Sequence, residues 1–167
     1  MKWFGGLVVL SLFVSCNQAS EIVGIETFKV TQGHKDGRIS YPMTPPVGGE
    51  HNPVWQNCGI YETQIALENA VHSLEHGAVW VTYRPGLKAQ DVQKLRDVVR
   101  GKPYTLLSPY QYGALDKPVV LVAWGLRLQL EKADDPRLAQ FVTKYASGSQ
   151  SPEPGAPCTG GLGSPTL

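Results

Sequence analysis

The stretch GAVWVTYRPGLKAQDVQKLRDVVRGKPYTLLS, residues 77–108, decides the fold class. Residues 78–83 are rich in β-branched and aromatic side chains, which is typical of a strand. Residues 88–100 place three aliphatic side chains on one helical face, so this segment is predicted to form a helix. Residues 104–108 are predicted to form a second strand. A strand, a helix and a strand in succession favour an architecture in which helices pack on a sheet.

The sequence after residue 108 extends the same pattern. Residues 118–124 are almost wholly apolar, which predicts a strand at the centre of the sheet. Asp135 and Pro136 suit the N-cap and the first position of a last helix, because aspartate accepts backbone N–H groups there and the first turn tolerates proline.

The sequence before Gly77 is richer in loops. Residues 25–30 and 39–41 are predicted to be short strands, and residues 64–76 are predicted to be a helix that ends at Gly77. Between these elements, residues 31–49 contain seven Gly or Pro in 19 positions, which predicts a constrained loop without regular structure.

The composition is that of an ordinary globular protein, with 167 residues of which 42% are hydrophobic and 17% charged. Together with the element order it predicts one compact α+β domain over residues 25–161, with a mixed sheet, two or three helices and a loop-rich N-terminal half. The 15 Lys and Arg residues balance 14 Asp and Glu residues, so no strong positive field attracts nucleic acid. We therefore expect no nucleic-acid partner.

The first residues have the layout of an export signal. A basic residue, an apolar run and a small residue precede Cys16, as in a bacterial lipoprotein. We predict a signal peptide over residues 1–15, a lipid anchor on Cys16, a flexible spacer over 16–24 and a tail over 162–167. The protein is then an exported lipoprotein in the periplasm or on the cell surface, and it meets the membrane through its anchor only. The alternative is simple cleavage that releases a soluble product.

Two cysteines remain in the predicted domain, Cys58 and Cys158. An exported protein folds in an oxidising compartment, which favours a disulfide between two leftover thiols. We therefore predict a bridge between Cys58 and Cys158, and two separate thiols are the alternative.

The histidines cluster within 43 consecutive positions, and the cluster consists of His34, His51, His72 and His76. On a helix, His72 and His76 are four residues apart and project from one face, where two imidazoles can share a metal ion. Glu68 lies one turn earlier and is expected to be a third ligand or to orient His72 by accepting its second ring N–H. The cluster therefore predicts a transition-metal site.

The Pro-rich loop that carries Met43 and His51 is expected to close over this helix, with His34 as a further candidate ligand. A thioether beside imidazoles favours copper, especially Cu(I), and zinc is the alternative ion. The expected function is to store, buffer or hand on the ion, with another metalloprotein as the partner that supplies or receives it. The structural alternative is that the histidines cap turns and that Met43 fills a gap in the core.

The segment HSLEH, residues 72–76, also matches the HxxEH motif, in which two histidines hold zinc and the glutamate activates water. In such a zinc hydrolase Glu75 is the base, and a further acidic ligand on a later helix is needed, but the candidates Glu131 and Glu153 fall in a short turn and in the Pro-rich tail. In a carrier Glu75 only supports the ligands, and we assign no catalytic residue. The remaining alternative is a metal-free extracytoplasmic interaction module, which separated histidines and an exposed apolar patch would indicate.

Three runs of sequence are long and specific: YPMTPPVGGEHNPVWQNCGIY at 41–61, ENAVHSLEHGAVWVTYRP at 68–85, and PEPGAPCTGG at 152–161. They resemble the bacterial family catalogued as domain of unknown function 3105, from about residue 34 to residue 161. The resemblance implies an exported or membrane-anchored protein and the paired cysteine motifs, and it implies no activity. The matching positions are His34, Tyr41, Pro45, Pro46, His51, Trp55, Cys58, Gly59, Tyr61, Glu68, His72, Glu75, His76 and Gly77.

Overall fold

The computed structural model describes residue 1 and residues 21–166 of the chain. The predicted signal peptide beyond residue 1, Cys16 and residues 17–20 of the predicted spacer lie outside these residues. Within the described part of the chain, no helix has the length and apolar character that crossing a bilayer requires.

The described residues form eight strands and three helices. In chain order these are β1 (Ile25–Thr27), β2 (Gln32–His34), β3 (Gly49–His51), β4 (Gly59–Ile60), α1 (Leu67–Glu75), β5 (Val79–Tyr83), α2 (Ala89–Val99), β6 (Thr105–Pro109), β7 (Val119–Ala123), β8 (Leu126–Leu130) and α3 (Pro136–Tyr145).

The main sheet has six strands in the order β1-β8-β7-β5-β6-β4. β5 pairs parallel with β6 and antiparallel with β7, so the sheet is mixed, as predicted. Every residue of β5, β6 and β7 is buried, because the sheet is covered on both faces. The α+β class and the single compact domain are confirmed.

The side chains of β5 alternate between two apolar cores. Val79 and Val81 belong to the core that α2 and α3 cover, where Phe141 is fully buried. Trp80, between them in sequence, belongs to the second core, which α1 covers with Leu74. The helix that carries two of the histidines therefore lies on this second side of the sheet.

Five strand assignments differ from the sequence prediction, which contains neither β3 nor β4. Residues 39–41 form no strand, because the N–H of Ile39 donates to the carboxylate of Glu68 at 2.9 Å instead of to a sheet partner. The loop predicted to be irregular contains β2, which pairs with β3 in a separate two-stranded parallel sheet. The prediction also lacks β8, which forms a hairpin with β7 through a turn in which Gly125 has a φ of +70°.

The predicted helix boundaries agree with the structure at two capping positions. Asp135 caps α3, since its carboxylate accepts the N–H of Arg137 at 2.9 Å and Pro136 is the first helical residue. Gly77 follows the C-cap of α1 with a φ of +104°, a conformation that favours glycine. A Cβ at Gly77 would also lie 3.0 Å from the Cα of Ser147.

The packed structure extends into both flanking segments. Ile22, inside the predicted spacer, is buried in the core beside α3. Leu162 and Thr166, inside the predicted tail, form backbone bridges with Gln56 and Ile60.

The predicted disulfide between Cys58 and Cys158 is present, and it joins residues 100 positions apart in the chain. The C-terminal segment, which is too rich in Gly, Pro and Ser to form a core of its own, is thereby held against the start of β4.

Candidate metal centre

Two histidines come from the small sheet. His34 ends β2 and His51 ends β3, and the two residues are register partners in the parallel pair. Their ring centroids are 5.0 Å apart. The side chain of His51 is fully buried, whereas the side chain of His34 is 56% exposed.

The other two histidines come from the end of α1. His72 is in the last turn and His76 is the C-cap, so the predicted spacing of four residues brings their ring centroids to 4.5 Å. The segment after β3 is tied to the same helix, because Ser73 donates to the carbonyl of Gln56 at 2.7 Å and accepts the N–H of Gln56 at 3.0 Å. The helix and the loop of His51 are therefore fixed relative to each other.

Backbone carbonyls hold the three buried imidazoles. The Nδ1 atoms of His51, His72 and His76 lie 2.8, 2.6 and 2.6 Å from the carbonyl oxygens of Gly49, Asn52 and Pro157. A carbonyl can only accept, so each Nδ1 carries the proton and donates. Each Nε2 is thus the atom left to bind a cation, which is the tautomer that metal-ligating histidines use.

The Nε2 atoms of His51 and His34 face a buried carboxylate. Oε2 of Glu75 lies 2.9 Å from Nε2 of His51 and 3.8 Å from Nε2 of His34. One ligand atom from each of His34, His51, His72 and Glu75 falls within 4.8 Å of the others. Three imidazoles and one carboxylate at such separations can surround a single cation.

His72 and His76 also face each other directly, with their Nε2 atoms 2.9 Å apart. Two neutral rings in the tautomer set by the carbonyls would point lone pairs at each other, so this contact requires a proton or a cation between them. Burial and, to a smaller extent, the neighbouring histidines lower the pKa of His72 to about 4, although the bond to the Asn52 carbonyl opposes the shift. His72 is therefore neutral at pH 7 and able to bind a metal.

A second group of ligand atoms adjoins the first. Atoms of Glu75, His76 and Glu153 lie within 4.8 Å of one another, and Oε2 of Glu153 is 3.7 Å from Nε2 of His76. Glu153 arrives there because the C-terminal segment caps α1: its N–H donates to the carbonyl of Glu75 at 3.0 Å, and the N–H of Gly155 donates to the carbonyl of His76 at 3.1 Å.

Two tryptophans form aromatic walls around the histidines. The ring of Trp55 lies 5.7 Å from that of His72 and 5.1 Å from that of His76, and its N–H donates to the carbonyl of Thr159. Trp124 meets His51 edge to face at 5.9 Å. Trp55 is only partly buried, and its place is beside the histidines.

Two predicted residues have other places. Glu68 does not orient His72, because its carboxylate accepts the N–H of Ile39 instead. The ring N–H of His72 donates to the carbonyl of Asn52. Met43 packs against the second core and lines a cavity with neighbouring residues of the Pro-rich loop. We therefore place neither side chain in the ligand set.

The sequence predicts a supporting role for Glu75 in a carrier and a ligand role for Glu153 only in a hydrolase, whereas the structure brings both carboxylates to the histidines. The available signal for Glu153 is its position five residues before Cys158, since the predicted disulfide already requires this segment to return to the domain.

Comparison with known proteins identifies a family without a known activity. A family model described as "Protein of unknown function (DUF3105)" matches residues 33–160, a range that contains all four histidines, Glu75, Glu153 and both bridged cysteines. No curated protein gives a significant match, and neither does any solved structure. Because the matched range covers most of the chain, the protein belongs to the DUF3105 family, as the sequence resemblance predicted.

Proposed function

We propose that this protein is an exported transition-metal-binding protein that holds a cation between His34, His51, His72 and Glu75. It stores or buffers the ion, or hands it to another metalloprotein. The observation that carries the proposal is the arrangement of His51 and His72, whose Nδ1 atoms bond to backbone carbonyls while a ligand atom of each lies within 4.8 Å of ligand atoms of His34 and Glu75.

The donor set favours a divalent first-row ion. Imidazole nitrogens suit copper and zinc, and the buried carboxylate of Glu75 adds a harder oxygen ligand and a negative charge. The thioether of Met43, which would favour Cu(I), packs against the core. We therefore propose Cu(II) as the favoured ion, since it binds such ligands more tightly than Zn(II) does, with Zn(II) as the alternative.

The exposure of one ligand supports carriage rather than permanent storage. The side chain of His34 is 56% exposed, whereas those of His51 and Glu75 are almost completely buried. A ligand at the surface can leave the ion first and admit a ligand from a partner protein. We propose that transfer begins at His34.

The proposed export also has support from within the domain. Disulfides persist in oxidising compartments, and the bridge between Cys58 and Cys158 is of this kind. The proposed signal peptide and the lipid on Cys16 would deliver the domain to the periplasm or the cell surface.

Metal titration of the chain purified without a histidine tag tests the proposal. Cu(II) and Zn(II) should each form a stable complex with at least one ion per chain. Cu(II) should also quench the fluorescence of Trp55, because its ring adjoins two of the histidines. Glu75→Gln should weaken binding at least about tenfold. Glu50→Gln is the matched control, because Glu50 is exposed on the same strand as His51 and pairs with Lys35. A protein that binds neither ion would rule out the proposal.

A zinc hydrolase is the second candidate function, and Glu153 is the observation that favours it. Its carboxylate approaches His76, so the HxxEH segment has the further acidic residue that such an enzyme needs. In this case Glu75→Gln would abolish peptide or ester hydrolysis by the zinc-loaded protein while the zinc stays bound. A carrier shows no turnover in the parent and loses affinity in the variant.

A further inference from the structure

We infer that the chain has a second cation site, formed by Glu75, His76 and Glu153, so that two ions bind side by side and share Glu75. The inference rests on the proposed function for the ion held by His34, His51 and His72. It adds two points to that proposal: each chain binds two ions, and the second ion is a divalent cation that is bound mainly by oxygen atoms.

The geometry of the three side chains is that of a second ligand group. Their ligand atoms lie within 4.8 Å of one another, and Nε2 of His76 is 3.7 Å from Oε2 of Glu153. The bond from Nδ1 of His76 to the Pro157 carbonyl fixes the proton on the far side of the ring, so Nε2 is available to a cation.

The two groups are contiguous. Glu75 belongs to both, and a carboxylate offers two oxygens, one for each of two neighbouring ions. The 2.9 Å contact between the Nε2 atoms of His72 and His76 joins the two groups, and a cation on either side removes the need for a proton between the rings. Paired metal ions in proteins sit about 3.5–4 Å apart, which is compatible with ligands this close together.

The charges also favour a second cation. The carboxylates of Glu75 and Glu153 place oxygens within 4.8 Å of each other, and Glu75 is buried. Two negative charges at this separation repel each other more strongly where water is excluded. A divalent cation between them converts this repulsion into attraction.

The backbone holds Glu153 in place independently of any ion. Its N–H donates to the carbonyl of Glu75, the N–H of Gly155 donates to the carbonyl of His76, and the disulfide at Cys158 fixes the segment that follows. The ligand is therefore positioned before binding. Because the side chain of Glu153 is 58% exposed, we infer that the second ion is the weaker and the faster to exchange.

Stoichiometry tests the inference and separates it from the proposed function. Zn(II) titration of the full-length, untagged chain, with metal analysis after gel filtration, should give two ions per chain. Glu153→Gln keeps the size of an exposed side chain and should leave one tight ion. Glu131→Gln is the matched control, because Glu131 is an exposed carboxylate paired with Lys117, and it should still give two. A parent that binds one ion overturns the second site alone, and a parent that binds none overturns both.

Electron paramagnetic resonance of the copper-loaded protein tests whether the two ions are neighbours. The first equivalent of Cu(II) should give a normal signal, and the second should reduce the signal per ion by spin coupling. In Glu153→Gln the coupled species should disappear while the single-ion signal remains. Two independent signals that add without coupling would place the second ion elsewhere and overturn the inference.

Discussion

His34 and His51 are register partners on two parallel strands, although a Pro-rich loop separates them in the chain. Partners on neighbouring parallel strands lie about 4.8 Å apart and point to the same face, so the pairing of β2 with β3 delivers two imidazoles together. The N–H of Lys35 continues the ladder by donating to the His51 carbonyl at 2.8 Å. His34 is at the surface and His51 is fully buried, so substitutions of the two residues should have different effects on the stability of the metal-free fold.

His34→Ala should weaken Cu(II) binding about tenfold and speed its release, with little change in the free energy of unfolding of the metal-free protein. His51→Ala should weaken binding and also destabilise the metal-free fold by about 1–3 kcal/mol, because it removes a fully buried ring and leaves the carbonyl of Gly49 without its donor. Competition titration and denaturant unfolding in the presence of a chelator measure the two effects. Equal destabilisation by both substitutions would contradict the assigned places of the two rings.

His72→Ala should lower the affinity of the first site for Cu(II) at least about tenfold, or roughly 1.4 kcal/mol, and His76→Ala should lower the affinity of the second site by a similar factor. Met43→Leu keeps the volume of the side chain and removes the sulfur, and it should leave the affinities for Cu(II) and Zn(II) unchanged, because Met43 packs against the core. If both histidine variants bind copper like the parent, the cluster is structural. If Met43→Leu selectively weakens Cu(I), the thioether reaches the ion after all.

Reduction of the disulfide should lower both stability and metal affinity. The bridge closes a loop of about 100 residues, which corresponds to about 4–5 kcal/mol in the chain-entropy model. It also fixes Pro157, whose carbonyl orients His76. Unfolding and Zn(II) titration of the protein with and without a reductant, and of Cys58→Ser, measure both quantities. Mass spectrometry of the non-reduced protein checks that a linked peptide containing Cys58 and Cys158 is present at the start.

The metal-free protein should lose stability as the pH falls from about 6.5 to about 4, because His72 stays neutral in the folded state over this range. Its pKa is about 4 in the folded state and 6.5 in the unfolded chain, so the unfolded state binds more protons between these values. This contribution is complete above about pH 6.5 and diminishes as the pH falls toward about 4. Thermal unfolding in chelator should therefore show a steeper pH dependence for the parent than for His72→Gln. Identical slopes would contradict the neutral state of this ring.

The proposed lipid anchor predicts that the parent fractionates with membranes and that Cys16→Ala does not. Both forms should carry the disulfide if both are exported. Equal solubility of the two forms would favour a simple signal peptide without lipid.

The sequence predicted the sheet centre and the helical histidine pair because both depend on local patterns. The apolar run that forms β7 and the spacing of His72 and His76 can be recognised without any partner. β8 follows the same kind of local pattern, since Leu126, Leu128 and Leu130 alternate with Arg127 and Gln129, although the sequence prediction does not include this strand.

Other parts of the site could not be predicted from local patterns. The residues of β2, Gln-Gly-His, have little strand propensity, and the strand exists because β3 pairs with it. Glu153 meets His76 because the C-terminal segment satisfies the last carbonyls of α1. Such contacts join residues far apart in the chain, and the composition of either segment gives no sign of them.

The acceptors that orient the three buried imidazoles belong to the main chain of Gly49, Asn52 and Pro157. A point mutation can delete a side chain that orients a histidine, but it cannot delete a carbonyl. The positions of these rings therefore depend on the path of the backbone, and Gly49, with a φ of +114°, is the position among the three where replacing a glycine would itself strain that path. Insertions and deletions beside these positions should therefore be far more damaging to the site than substitutions at Asn52 or Pro157, whose carbonyls remain when the side chain changes.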